Sequence, residues 1–166
     1  MDPFEREIVV LLPRLRRFAR ALSGDPADAD DLAQLAVERA LARRAQWIPG
    51  SRMDAWVMRI MKNAWIDEIR ARGRRAAPAA NDDLVERVAD PAVASHDLRV
   101  EALAVRQAMA RLPEDQRLAV ALVLVEGLSY AEAAGVLEIP AGTLTSRLVR
   151  GRMALMSELA AAGGAA

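Results

Sequence analysis

The sequence predicts an all-α protein built as two small helical units joined by a linker, and three observations carry that expectation. Apolar residues recur with a 3.6-residue period along most of the chain, and no alternating run suggests a strand. Alanine and leucine supply most of a 53% hydrophobic content, while aromatic residues are only 4% and β-branched runs are few. A stretch near the middle, APAANDDLVERVADPAVAS, is rich in Ala, Pro, Asp and Asn and keeps no sustained period. Residues 1–75 and 96–166 are therefore expected to be the helical units, with 76–95 as the linker.

The first helix is expected over Glu5 to Leu22, kinked at Pro13 and stopped by Ser23-Gly24. Asp25-Pro26 supplies an N-cap and a proline at the first helical position, so a second helix should run to about Gln46. Pro49-Gly50 makes a turn, and Ser51 with Asp54 three residues on should cap a third helix reaching Arg75. Met53, Val57, Ile60, Met61 and Ala64 fall on its core side; Arg59, Asn63 and Arg70 fall on another, with Trp56 at the edge. Within the linker, Leu84, Val85 and Val88 suit one short amphipathic turn, and His96 reads as a solvated residue.

Ser95 to Arg111 forms the next predicted helix, with Leu98, Ala102, Val105 and Met109 on one face. Pro113 opens another, whose segment from Leu118 to Glu126 is apolar all round and too short for a membrane, so it should be a buried central helix. The run LSYAEAAGVLEIPAGTLTSRLVRGRMALM from Leu128 to Met156 then reads as a helix-turn-helix. Ser129 and Glu132 have capping-box spacing, Ala133, Ala134 and Leu137 give a small apolar face, and Glu138-Ile139-Pro140 ends the helix. In the helix that follows, Leu144, Leu148, Gly151 and Leu155 take one side, and Thr143, Ser146, Arg147 and Arg150 another. Three arginines and no carboxylate between Ala141 and Ser157 suit a helix that enters the major groove.

Lysine plus arginine and aspartate plus glutamate both number 23, which by itself argues against a nucleic-acid partner. The charges are segregated, however: Arg59 to Arg75 holds six basic residues against Asp67 and Glu68, and the segment after Ala76 is acidic. Arginine, amide and tryptophan on the third helix suit single-stranded DNA, whose phosphates and unstacked bases they match. Trp56 and Trp65 at helical spacing also suit a core. Absence of cysteine removes disulfides and cysteine-ligated metal, the single histidine argues against a metal centre, and no cofactor is implied. No nucleophile with its base, paired carboxylates or glycine-rich phosphate loop suggests an enzyme. The N-terminal apolar run is too short and interrupted for a signal peptide or membrane span, so a cytoplasmic protein without membrane insertion is expected.

Four segments together resemble the extracytoplasmic-function (ECF) sigma factors of bacterial RNA polymerase: DADDLAQ at Asp28 to Gln34, AWVMRIMKNAWIDEIRARGRR at Ala55 to Arg75, LPEDQR at Leu112 to Arg117, and Glu126 to Leu155. The resemblance spans nearly the whole chain. It implies that residues 1–75 are sigma region two, which docks on the polymerase clamp and recognises and melts the −10 element, and 96–166 region four, which reads the −35 element. By motif position, Asp31 and Gln34 would meet the polymerase; Trp56, Arg59, Asn63, Arg70 and Arg74 the −10 DNA; and Thr143, Ser146, Arg147 and Arg150 the −35 DNA. An anti-sigma factor is a further implied partner. Leu35 and Ala36 depart from the Glu and Thr or Ser usual in the family, and Thr145 stands where lysine or arginine is usual. These departures support the alternative expectation, a sigma-like decoy that occupies an anti-sigma factor without binding DNA.

Overall fold

A computed structural model describes residues 1–75 and 95–164. The expected linker turn at Leu84, Val85 and Val88 lies outside the described residues. The elements are α1 (Pro3–Ser23), α2 (Pro26–Ala42), α3 (Met53–Arg75), α4 (His96–Arg111), α5 (Glu114–Val120), α6 (Tyr130–Leu137) and α7 (Ala141–Gly163). Among the described residues there is no strand.

Local chemistry explains most of the boundaries. Asp2 accepts from the Glu5 amide while the Glu5 carboxylate accepts from the Asp2 amide, so α1 starts with a complete capping box and Pro3 just inside it. It runs through Pro13 and ends at Gly24, whose φ of 71° needs no Cβ penalty. Asp25 caps α2 through the Ala27 amide. That helix stops at Ala42, earlier than expected, and a 3-10 turn covers Arg44–Gln46.

The expected cap of α3 does not form. The Ser51 hydroxyl and amide both donate to the Ile48 carbonyl, and Asp54 accepts from Arg14 and Arg52, because two guanidiniums offer a carboxylate more than one backbone amide can. Ser129 does cap α6 through the Glu132 amide. The reciprocal half is replaced: the Glu132 carboxylate pairs with Arg52 at 2.9 Å.

Leu15, Phe18 and Leu22 of α1 and Met53, Val57, Met58 and Met61 of α3 are fully enclosed, as are Val120, Leu122 and Leu144 in the second unit. All of them belong to one continuous core cluster. Two expectations of burial fail at its edges. Leu98, Ala102 and Val105 of α4 are exposed, since only the C-terminal end of that helix, with Ala108 and Met109, is buried. The apolar run after α5 does not stay α-helical: residues 121–125 form a π turn in which the Glu126 amide bonds the Ala121 carbonyl. With one extra residue in the turn, Leu124 and Val125 face solvent and Glu126 faces inward.

Gly151 sets how closely α7 approaches α5. A Cβ there would lie 2.8 Å from Val120 Cγ2 and 3.1 Å from the Gln116 carbonyl oxygen. Gly151→Leu should therefore lower unfolding stability by about 2 kcal/mol through overpacking. Urea denaturation reads this, and an unchanged midpoint would mean that α5 and α7 have room to spare.

Candidate nucleic-acid interface

Arg59, Asn63, Arg70 and Arg74 are all exposed on α3, and with Trp56 they span about 60° of its circumference at 100° per residue. Trp56 is half-buried, its ring packed edge-on against Phe4 at 6.1 Å, and Trp47 packs on the same Phe4 at 5.5 Å. The indole of Trp56, Arg43, Arg52, Arg59 and Asn63 line an open cavity of about 510 Å³ between the end of α2 and α3. This cleft offers cations, an amide and an aromatic ring, which suits an unstacked nucleotide. Trp65 is different: it is buried and donates through Nε1 to Glu114, so it is a core residue. Arg72 is likewise committed, to Asp28 at 2.9 Å and Glu68 at 3.0 Å.

On the other side of the first unit, Asp31 and Gln34 are exposed on α2, and the Gln34 amide donates to Glu38 at 2.9 Å. Asp31, Leu32 and Leu35 border a small groove of about 150 Å³ closed by Trp65 and Arg72 of α3. Ala36 is fully buried, so its small size serves the α1–α2–α3 core. Leu35 is half-buried at the groove.

In the second unit, α6 and α7 make the helix-turn-helix that the sequence predicts. Leu144, Leu148 and Gly151 are buried, and Ser146 and Arg150 are exposed while Thr143 and Arg147 are half-buried. Arg147 Nε lies 3.6 Å from Asp115 of α5, a loose pair that leaves the guanidinium fork free for other acceptors. The Thr145 hydroxyl bonds back to the Ala141 carbonyl at 2.9 Å.

The structure packs α6 of the second unit against α3, which sequence reading missed. The turn after α6 places Glu138 3.6 Å from Arg59 and 3.9 Å from Lys62. Lys62 is buried, and burial pushes its ammonium below the ordinary lysine range despite Glu138. Asp54 is held well below the usual aspartate range by hydrogen bonds from Arg52 and Arg14. A second stripe on α3, Asp54–Met58–Lys62–Trp65, is the signal that marks these positions, since all four are buried.

Among the described residues no helix is long and apolar enough to cross a membrane. Family models for sigma-70 region 2 and sigma-70 region 4 match residues 8–75 and 102–155. The ECF RNA polymerase sigma factor EcfG of Rhodopseudomonas palustris is 35% identical over 95% of this chain and 86% of its own length. SigF of Caulobacter vibrioides, also an ECF RNA polymerase sigma factor, is 32% identical over 97% of this chain and 88% of its own. Among solved structures, the sigma factor RpoE of Bartonella quintana, in complex with the anti-sigma factor NepR, superimposes with a TM-score of 0.80 and 30% identity, covering 96% of this chain and 98% of that one. Two exposed arginine faces on α3 and α7, held by the folds of regions two and four, agree with this kinship: the chain belongs to the ECF sigma factors of RNA polymerase.

Proposed function

We propose that this chain directs RNA polymerase to a two-part promoter, acting in the cytoplasm by binding and strand opening with no covalent step. The α7 face of Thr143, Ser146, Arg147 and Arg150 reads the −35 element in the major groove. The α3 face of Trp56, Arg59, Asn63, Arg70 and Arg74 holds −10 DNA, with the cleft beside Trp56 taking an unstacked base. Asp31 and Gln34, next to the groove of α2 and α3, meet the polymerase. The observation that supports this best is the pairing of two arginine-bearing helix faces, one in each unit, in a chain of sigma-factor kinship. The same exposed arginines disfavour a decoy that only occupies an anti-sigma factor, although capture by such a factor fits the likeness to RpoE bound to NepR.

Reconstitution with core polymerase and genome-wide mapping of transcript starts tests the reading. A shared two-part promoter is expected, and Arg147→Ala and Arg150→Ala should each weaken −35 binding by about 1 to 3 kcal/mol if they contact base edges. Alanine at Arg59, Asn63 and Arg70 together should reduce permanganate reactivity of −10 thymines. Unchanged promoter choice and melting in these variants would overturn the assignment.

A further inference from the structure

Helix α4 carries an apolar side that its neighbours cover only in part. At 100° per residue, Leu98, Ala102, Val105 and Met109 lie within about 60° of one another. Met109 is buried with Ala108 at the C-terminal end of the helix. Toward the N-terminus, on the same side, Leu98 is 55% and Val105 43% exposed, and Ala102 is exposed as well, so the face runs out of the core into water. Arg99 and Arg106 border it along one edge and Glu101 along the other.

The chain that leads into α4 has the matching composition. Residues 76–94 connect α3 to α4, and among them Leu84, Val85 and Val88 cluster within one stretch of five. Asp82, Asp83, Glu86 and Asp90 surround the cluster, opposite in sign to Arg99 and Arg106, and Arg87 is opposite in sign to Glu101. Connectivity adds to this complementarity. Val88 precedes Leu98 by ten residues, so the cluster is presented to α4 at an effective concentration on the order of millimolar, which a separate protein would have to exceed.

We propose that residues 84–88 of this chain dock on the exposed side of α4, with Leu84, Val85 and Val88 against Leu98, Ala102 and Val105 and the acidic flanks toward Arg99 and Arg106. The apolar side of α4 is then an intramolecular docking surface. Docking also shortens the tether between the two units. Residues 76–83 alone would link α3 to the docked cluster, about 28 Å of extended chain, against about 65 Å for all of 76–94.

The sequence has no cysteine, so engineered pairs report proximity without background. In the full chain, Val85→Cys is combined either with Ala102→Cys, on the apolar side, or with Val100→Cys, about 160° away around α4. Both α4 positions are exposed, so neither change opens a cavity. Disulfide closure in a glutathione buffer is timed on non-reducing gels and assigned by peptide mass spectrometry. The two loops differ in length by only two residues, so a segment without preference would close them at nearly equal rates. The pair with Ala102→Cys should close at least about tenfold faster in buffer, and the two pairs should close alike in urea. Adding Leu84→Ser and Val88→Ser should bring the ratio in buffer close to one, with helix content by circular dichroism unchanged.

Equal rates for the two pairs in the folded chain overturn the proposal and leave the α4 side to an outside partner. Disulfide-linked dimers whose share grows with protein concentration overturn it in favour of a second copy of the chain. A preference for Ala102→Cys that survives Leu84→Ser and Val88→Ser overturns it as well, because those side chains then do not carry the contact.

Discussion

Arg117→Ala is expected to cost about 3 kcal/mol or more in unfolding free energy. The last carbonyls of a helix have no partner within it. Arg117, 13% exposed, collects those of two helices at once: Leu22 of α1 at 2.9 Å, and Met109, Ala110 and Leu112 at the end of α4 at 2.9, 2.8 and 3.0 Å. Alanine would leave the part-buried carbonyls of Leu22, Met109 and Leu112 without this donor, while that of Ala110 is exposed to water. Arg117→Lys should recover only part of the loss, because one ammonium cannot reproduce the planar fork. Urea denaturation at neutral pH measures both. A cost below about 1 kcal/mol for alanine would mean that water replaces the guanidinium fully.

Asp54→Asn should cost about 2 kcal/mol at pH 7 and also change how stability depends on pH. Asp54 is 9% exposed and aligns both arginines that reach the second unit, Arg14 toward Glu126 and Arg52 toward Glu132. The partial exposure of those arginines keeps the figure modest. Hydrogen bonds from Arg52 and then Arg14 depress the Asp54 carboxyl when folded, so the unfolded chain binds its proton more readily. Stability from this group is thus complete above the ordinary value of 3.8 and is lost as pH falls through the lower folded value. The variant should show a shallower acid limb in thermal melts taken downward from pH 5. An acid limb equal to the wild type's would place the acid sensitivity elsewhere.

The helix-turn-helix was legible because its determinants are close in sequence. The Ser129 cap reaches three residues, Pro140 stops a helix at its neighbour, and the Leu144, Leu148 and Gly151 face follows from helical period alone. Arg59, Asn63, Arg70 and Arg150 proved exposed for the same reason: on a helix with one strongly apolar side, the opposite polar side has nowhere else to go. Expectation failed where a second helix was needed to judge. Leu98 and Val105 look like core residues on a wheel, but among the described residues no element covers that end of α4. Ser51 and Asp54 have capping spacing, but Arg14, forty residues away, takes the carboxylate.

By itself, then, the sequence determined most of the helices, the caps at Asp25 and Ser129 and the polar faces of α3 and α7, because hydrogen-bond partners two to four residues apart and a 3.6-residue period fix these locally. The tertiary structure alone decided which charged residues would be buried. Glu126 finds Arg14 and Arg17 across 112 and 109 residues, and Lys62 meets Glu138 from the other unit. A charged group leaves water only when a partner of opposite sign is brought to it, and no local pattern records which distant partner the packing of two units will supply.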